Sequence, residues 1–185
     1  MTDLSINTRR NAALHLAGTR QPAVAGTFYP VDPAALAKMV EECVNSAPAY
    51  AVRAKALIAP HAGLVFSGPI AGTAYRTILE RRSDITRVVI LGPPHRQPVC
   101  GFAVPSVSAF ATPFGEVTID RDTCDVLSRM PDVEVDDAPH VQEHCIEVHL
   151  PFLQAILGSF SLVPILVGDA AISRIDEVLA TVWGG

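Results

Sequence analysis

Two short apolar runs in this chain end the same way. Leu57-Ile58-Ala59 gives way to Pro60 and His61, and Val89-Ile90-Leu91 gives way to Gly92, Pro93, Pro94 and His95. Each run is short and stops at residues that break regular structure, so each reads as a buried strand, over 54–59 (AKALIA) and 87–91 (RVVIL). The second, rich in β-branched residues, has the character of a central strand. Between and beyond these runs the apolar residues recur at helical spacing. Asp32 and Pro33 supply an N-cap and a first-turn proline, and Leu36, Met39, Val40, Cys43 and Val44 follow on one face, which predicts a helix to about Asn45. A second helix is expected over Ser67–Leu79, with Ile70, Ala74 and Ile78 inward.

The rest of the chain continues the alternation. Gly101–Val104 and Glu116–Ile119 read as short strands separated by a turn through Thr112-Pro-Phe-Gly115. Asp120 is placed to cap a helix to about Arg129. Residues 142–157 follow a helical pattern that Pro151 interrupts, which predicts a kink or a helix restarting at the proline. Residues 162–167 (LVPILV) form a further strand, and Ser173 with Asp176 three residues on begins a last helix to about Val182. Strands alternating with helices predict an α/β fold with a mixed, mostly parallel sheet and helices on both faces.

Composition narrows the function classes. The chain has 185 residues, enough for one compact domain, here 22–185, preceded by a polar stretch over 1–21 expected to be a mobile arm. A hydrophobic fraction of 49% against 18% charged residues excludes a disordered chain. Fourteen Lys and Arg against 19 Asp and Glu leave a net charge of -5, so no broad cationic face for nucleic acid is expected. Cys43, Cys100, Cys124 and Cys145 are scattered without a C-x-x-C pair and read as reduced thiols. The first twenty residues lack the apolar stretch of a signal peptide, and no run approaches the roughly 18 apolar residues of a membrane span. A cytoplasmic location without a membrane partner is the expectation.

The chemistry gathers on histidine. In open α/β sheets ligands bind beyond the carboxyl ends of the strands, so His61 and His95 are placed to converge on one point. Neutral imidazoles converging there suit iron, copper or zinc better than magnesium or calcium; the alternative is two loop histidines bonded to backbone carbonyls. A third cluster carries His140, Glu143, His144, Cys145, Glu147 and His149. It is not H-E-x-x-H, so a zinc protease is not indicated. It reads either as a solvated helix face or as a source of supporting groups, with Glu143 and His144 orienting a ligand of the His61 and His95 site. No G-x-G-x-x-G, Walker loop or G-x-S-x-G is present, which sets aside nucleotide binding and serine hydrolysis. Cys100 and Cys145 are expected to be buried thiols rather than nucleophiles.

Seven ordered segments then carry a resemblance: 20–30 (RQPAVAGTFYP), 59–63 (APHAG), 66–68 (FSG), 90–95 (ILGPPH), 112–115 (TPFG), 143–153 (EHCIEVHLPFL) and 163–168 (VPILVG). Together they resemble the Memo family, called AmmeMemoRadiSam system protein B in microbes, which is itself similar to the class III extradiol dioxygenases. The resemblance implies a dioxygenase-like α/β domain with its metal ligands at His61 and His95, binding Fe(II) or Cu. Family members generally continue for about another hundred residues, so it also implies a domain incomplete at its C-terminal end. In the family those residues include a further acid/base histidine and a cysteine ligand. A half-site of two histidines is then expected to hold metal weakly, and an uncovered sheet edge to favour self-association. As function, the resemblance implies a metal-dependent redox role on an unidentified substrate, ring cleavage not being expected. The alternatives are a ligand- or peptide-binding scaffold with radical SAM and AMMECR-type partners, and an inactive remnant.

Overall fold

The computed structural model describes residues 18–184 apart from 49 and 51. Seven strands form one mixed sheet: β1 Thr19–Arg20, β2 Arg87–Gly92, β3 Phe102–Val104, β4 Ala109–Thr112, β5 Gly115–Ile119, β6 Val133–Val135 and β7 Ser161–Val167. Its path runs β1-β4-β5-β7-β3-β6, with β2 beside β7. The β3–β7 and β4–β5 pairs are antiparallel and the other described pairs are parallel. β7 is the organising strand. One edge pairs with β2 along Ser161 to Leu166, and the other takes β5 at its start and β3 at its end. Pro164, which has no N–H to donate, falls in the gap between β5 and β3.

Leu162, Val163, Ile165 and Leu166 of β7 are all fully buried, so side chains on both of its faces are covered. The helices divide into two groups. α1 Pro33–Asn45, α2 Leu64–Arg76 and α5 Leu150–Leu157 pack on one another, while α3 Arg121–Leu127 packs with α6 Ile172–Val182 and with β7. A short α4, Ala138–Val141, precedes the loop that will supply the site. α1 has the expected Asp32 cap, whose carboxylate accepts the Ala35 N–H at 2.8 Å. Asp120 caps α3 in the same way through Thr123 at 2.9 Å.

Several expectations are corrected. Residues 54–59 are not a strand: no ladder includes them, and the Ile58 side chain is fully exposed. A run becomes a strand only where it is laid alongside a neighbour in register, and periodicity does not report that placement. β2 is an edge strand rather than a central one, since among the described residues it pairs with β7 alone. In α2 the buried face is Leu64, Ser67, Gly68, Ala71, Gly72 and Tyr75, and Ile70 is exposed. The glycines set that face: a Cβ at Gly72 would lie 2.3 Å from the Cys43 carbonyl oxygen, so α1 lies against the backbone there. Over 142–157 the expected restart at the proline is observed, although the residues before it are not α-helical. A loop follows α4, a 3-10 turn spans Glu147–His149, and α5 starts with Pro151 in its first turn. The last helix is preceded by Ala171, not capped by Ser173. Of the expected N-terminal arm, residues 1–17 lie outside the described residues, while Thr19–Arg20 pairs with β4 and Arg20 is buried.

Candidate metal centre

The site is built where β2 ends. Gly92 closes the strand against the loop of Glu143, His144 and Cys145, and a Cβ at Gly92 would meet Cys145 Sγ at 2.5 Å. That contact brings the loop under the Pro93-Pro94-His95 segment. The Glu143 carboxylate then becomes an anchor. It accepts the backbone N–H of His95 at 2.5 Å, of His144 at 2.8 Å and of Cys145 at 3.0 Å, and lies 2.9 Å from His95 Nδ1. Burial alone would raise its pKa. The three backbone donors and the His95 side chain outweigh burial and hold the carboxyl at about 2. Glu143 is therefore an anion whose lone pairs are engaged by the loop it organises.

Three imidazoles share the space above it. Ring centroids are 4.5 Å apart for His95 and His144, 5.2 Å for His61 and His95, and 5.7 Å for His61 and His144. One nitrogen from each ring lies within 4.8 Å of the others. Burial lowers the His61 pKa, the neighbouring His95 adds to this, and Glu143 opposes it. Burial likewise lowers that of His144, with Glu143 opposing and His95, His61 and Arg96 reinforcing. Both rings are neutral near pH 7, the form that donates a lone pair to a metal. With its Nδ1–H given to Glu143, His95 offers Nε2, the arrangement that fixes a ligating histidine. His144 Nδ1 is buried, stands 3.1 Å from Glu143 Oε1 outside hydrogen-bond geometry, and has no other partner. A cluster of imidazole nitrogens with an unsatisfied one among them fits a borderline cation such as Fe(II), Cu or Zn.

A second network holds this loop to the N-terminal part of the chain. Glu147, fully buried, pairs with Arg20 at 2.5 Å and accepts the N–H of Ala23 at 2.8 Å, the N–H of Val24 at 3.0 Å and the hydroxyl of Tyr29 at 2.5 Å. Arg20 also donates to the carbonyls of His140 and Glu143. The turn between Val24 and Tyr29 is thereby fixed, and it lays the Phe28 ring 4.8 Å from His144. Phe28, Ile58, Ala59, Pro60 and Phe66 then wall an open cleft of about 820 Å³ whose floor includes His61 and His144. Every side chain in its lining is uncharged or an imidazole of lowered pKa.

Of the residues singled out from the sequence, His61, His95, Glu143 and His144 come together here. His140 does not. It is buried with its Nε2 at 3.2 Å from the Ala103 carbonyl and its ring against Phe110. Cys145 lies near His95 and Glu143, but burial and the Glu143 charge push its thiol far up, so it stays protonated. Cys100 is exposed and pairs its backbone with Asp169, away from the cleft. The roles of Arg20, Phe28 and Tyr29 are missed by spacing arguments. Glu147, flanked by Ile146 and Val148, carried the one available signal: a carboxylate in an apolar stretch has to find donors.

The comparisons with known proteins agree on one family. A family model described as Memo-like protein matches residues 20–182. A MEMO1 family protein of Methanopyrus kandleri is 42% identical over 173 residues, covering 86% of this chain and 60% of its own length. One from Methanothermobacter thermautotrophicus is 37% identical over 178 residues, covering 85% and 64%, and one from Aquifex aeolicus is 38% identical over 149, covering 80% and 54%. The chain thus spans little more than half to under two thirds of the length of these relatives.

Proposed function

From the chain's membership of the Memo family and its cluster of three histidines, we propose that this protein binds one iron or copper ion for redox chemistry on a small substrate. The observation that carries the reading is the convergence of His61, His95 and His144 with Glu143 behind them. The three histidines donate one nitrogen each. Glu143 keeps the His95 ring turned toward the centre and supplies negative charge without itself being a free ligand. A bound ion would supply a Lewis-acid and one-electron centre with positions left open to substrate. The site would then sit on a scaffold related to the class III extradiol dioxygenases, without ring cleavage as its reaction.

A second reading is a binding protein whose cleft takes a ligand or peptide without turnover. It is favoured by the uncharged walls and by Ile58 and Phe66, 101% and 84% exposed at the rim. The edge of β2, unpaired among the described residues, further supports association with another polypeptide, a second copy or a radical SAM or AMMECR-type partner.

Anaerobic purification followed by elemental analysis tests the first reading. Near one iron or copper per chain, lost in His61→Ala/His95→Ala, is the expected result. Absence of metal after reconstitution, with ligand capture retained, would overturn it in favour of the second.

A further inference from the structure

Two of the clustered histidines have a carboxylate beside them and the third does not. His95 has Glu143 on its Nδ1, and His144 lies against the same oxygen. Among the described residues no hydrogen bond reaches the His61 ring. A histidine that donates to a metal nearly always gives its other ring N–H to a partner, which fixes tautomer and orientation.

The polar side chain placed to fill this role is His149. It stands at the end of the 3-10 turn Glu147–His149, between the anchored Glu147 and the start of α5, so its backbone is held on both sides. Its ring lies between His61, at 6.3 Å between centroids and 74° between planes, and Tyr75, at 6.0 Å. Tyr75 is itself stacked on Phe152 at 5.0 Å, which leaves the His149 ring little freedom. His149 is only 8% exposed, and its Nδ1 is buried with no hydrogen-bond partner. A buried nitrogen without a partner is costly, and an apolar ring would fill the same volume without that cost. Packing therefore does not account for a histidine here. At 6.3 Å between centroids the ring nitrogens cannot bond directly, so a link between the two rings would need a water between them.

We infer that His149 is a positioning residue that holds the His61 ring through one bridging water, as Glu143 holds His95. The inference rests on the proposed metal site but can be read without it. Two variants of the full chain test it: His149→Phe keeps a ring and removes both nitrogens, and His149→Gln keeps a polar group. In the metal-loaded protein, His149→Phe is expected to weaken Cu(II) about tenfold or more and to alter its electron paramagnetic resonance spectrum. His149→Gln should restore most of both. In the metal-free protein, nitrogen NMR of the imidazoles at neutral pH should show one His61 tautomer in the wild type and a mixture in His149→Phe.

Unchanged copper affinity and spectrum in a folded His149→Phe would overturn the inference. So would a tautomer mixture for His61 in the metal-free wild type, a result that needs no variant to fold. If the wild type binds no metal while its single His61 tautomer is lost in His149→Phe, the metal reading falls and the positioning role stands.

Discussion

Glu143 grips His95 at two points: one carboxylate oxygen lies 2.9 Å from the imidazole Nδ1, and the other accepts the backbone N–H of the same residue at 2.5 Å. One buried carboxylate thus fixes both the path of the chain after β2 and the direction in which the His95 ring points. The remaining backbone bonds, to His144 and Cys145, tie the second chain segment of the site to the same group.

Glu143→Gln replaces one acceptor oxygen with a donor that the surrounding N–H groups cannot use. Iron or copper affinity, measured by competition with a chelator of known strength, should fall about 10- to 100-fold. The sheet should survive, as judged by far-UV circular dichroism. Undiminished affinity would mean that Glu143 organises the loop without orienting a ligand.

Gly92→Ala puts a methyl group where Cys145 Sγ already lies. Overpacking of this kind costs about 1–3 kcal/mol, and urea unfolding should report it as a lower midpoint. Cys145→Ala in the same chain should recover part of the loss, because it removes the clashing sulfur. Strict additivity of the two substitutions would show that the contact does not carry the effect.

Arg20→Met leaves the Glu147 carboxylate buried without its cation. Removing one partner of a buried pair costs about 3–5 kcal/mol, so the variant should be strongly destabilised although the two partners lie 127 residues apart in sequence. Equilibrium denaturation checks this; a change within about 0.5 kcal/mol, the range of ordinary surface substitutions, would contradict the anchoring role of the pair.

His140 is held neutral. Burial, against the raising effect of its bond to the Ala103 carbonyl, lowers its pKa from 6.5 to about 4. The unfolded chain takes up a proton at this residue below pH 6.5, and the folded one only near pH 4. Stability should therefore be complete above pH 6.5 and fall as pH drops toward 4, by about 3 kcal/mol from this group. In His140→Gln the slope of stability against pH over that window should be shallower. An identical slope would place the titration elsewhere.

Much of the order of elements could be read from the residues alone. α1 follows from Asp32, Pro33 and the spacing of Leu36, Val40 and Cys43; β7 follows from its apolar run; α3 follows from Asp120. These are local facts, since caps and periodicity act within a few residues. Pairing was not readable, because it depends on which segments packing lays side by side in register. Hence β2 moved from the centre of the sheet to its edge, and residues 54–59 join no ladder among the described residues.

The candidate site divides along the same line. That His61 and His95 sit at the ends of apolar runs is written in the chain, and so is the Memo pattern that includes them. Their distance, the arrival of His144 as a third ring, and the use of Glu143 as anchor required the folded molecule, because 48 residues separate Glu143 from the His95 it holds. Two carboxylates four residues apart, Glu143 and Glu147, look alike as sequence. In the fold one faces the imidazoles and the other is enclosed by Arg20, Tyr29 and two backbone N–H groups. Residue type and local spacing limit what a side chain is able to do; the donors and charges that surround it, brought from distant segments by packing, settle which of those roles it takes.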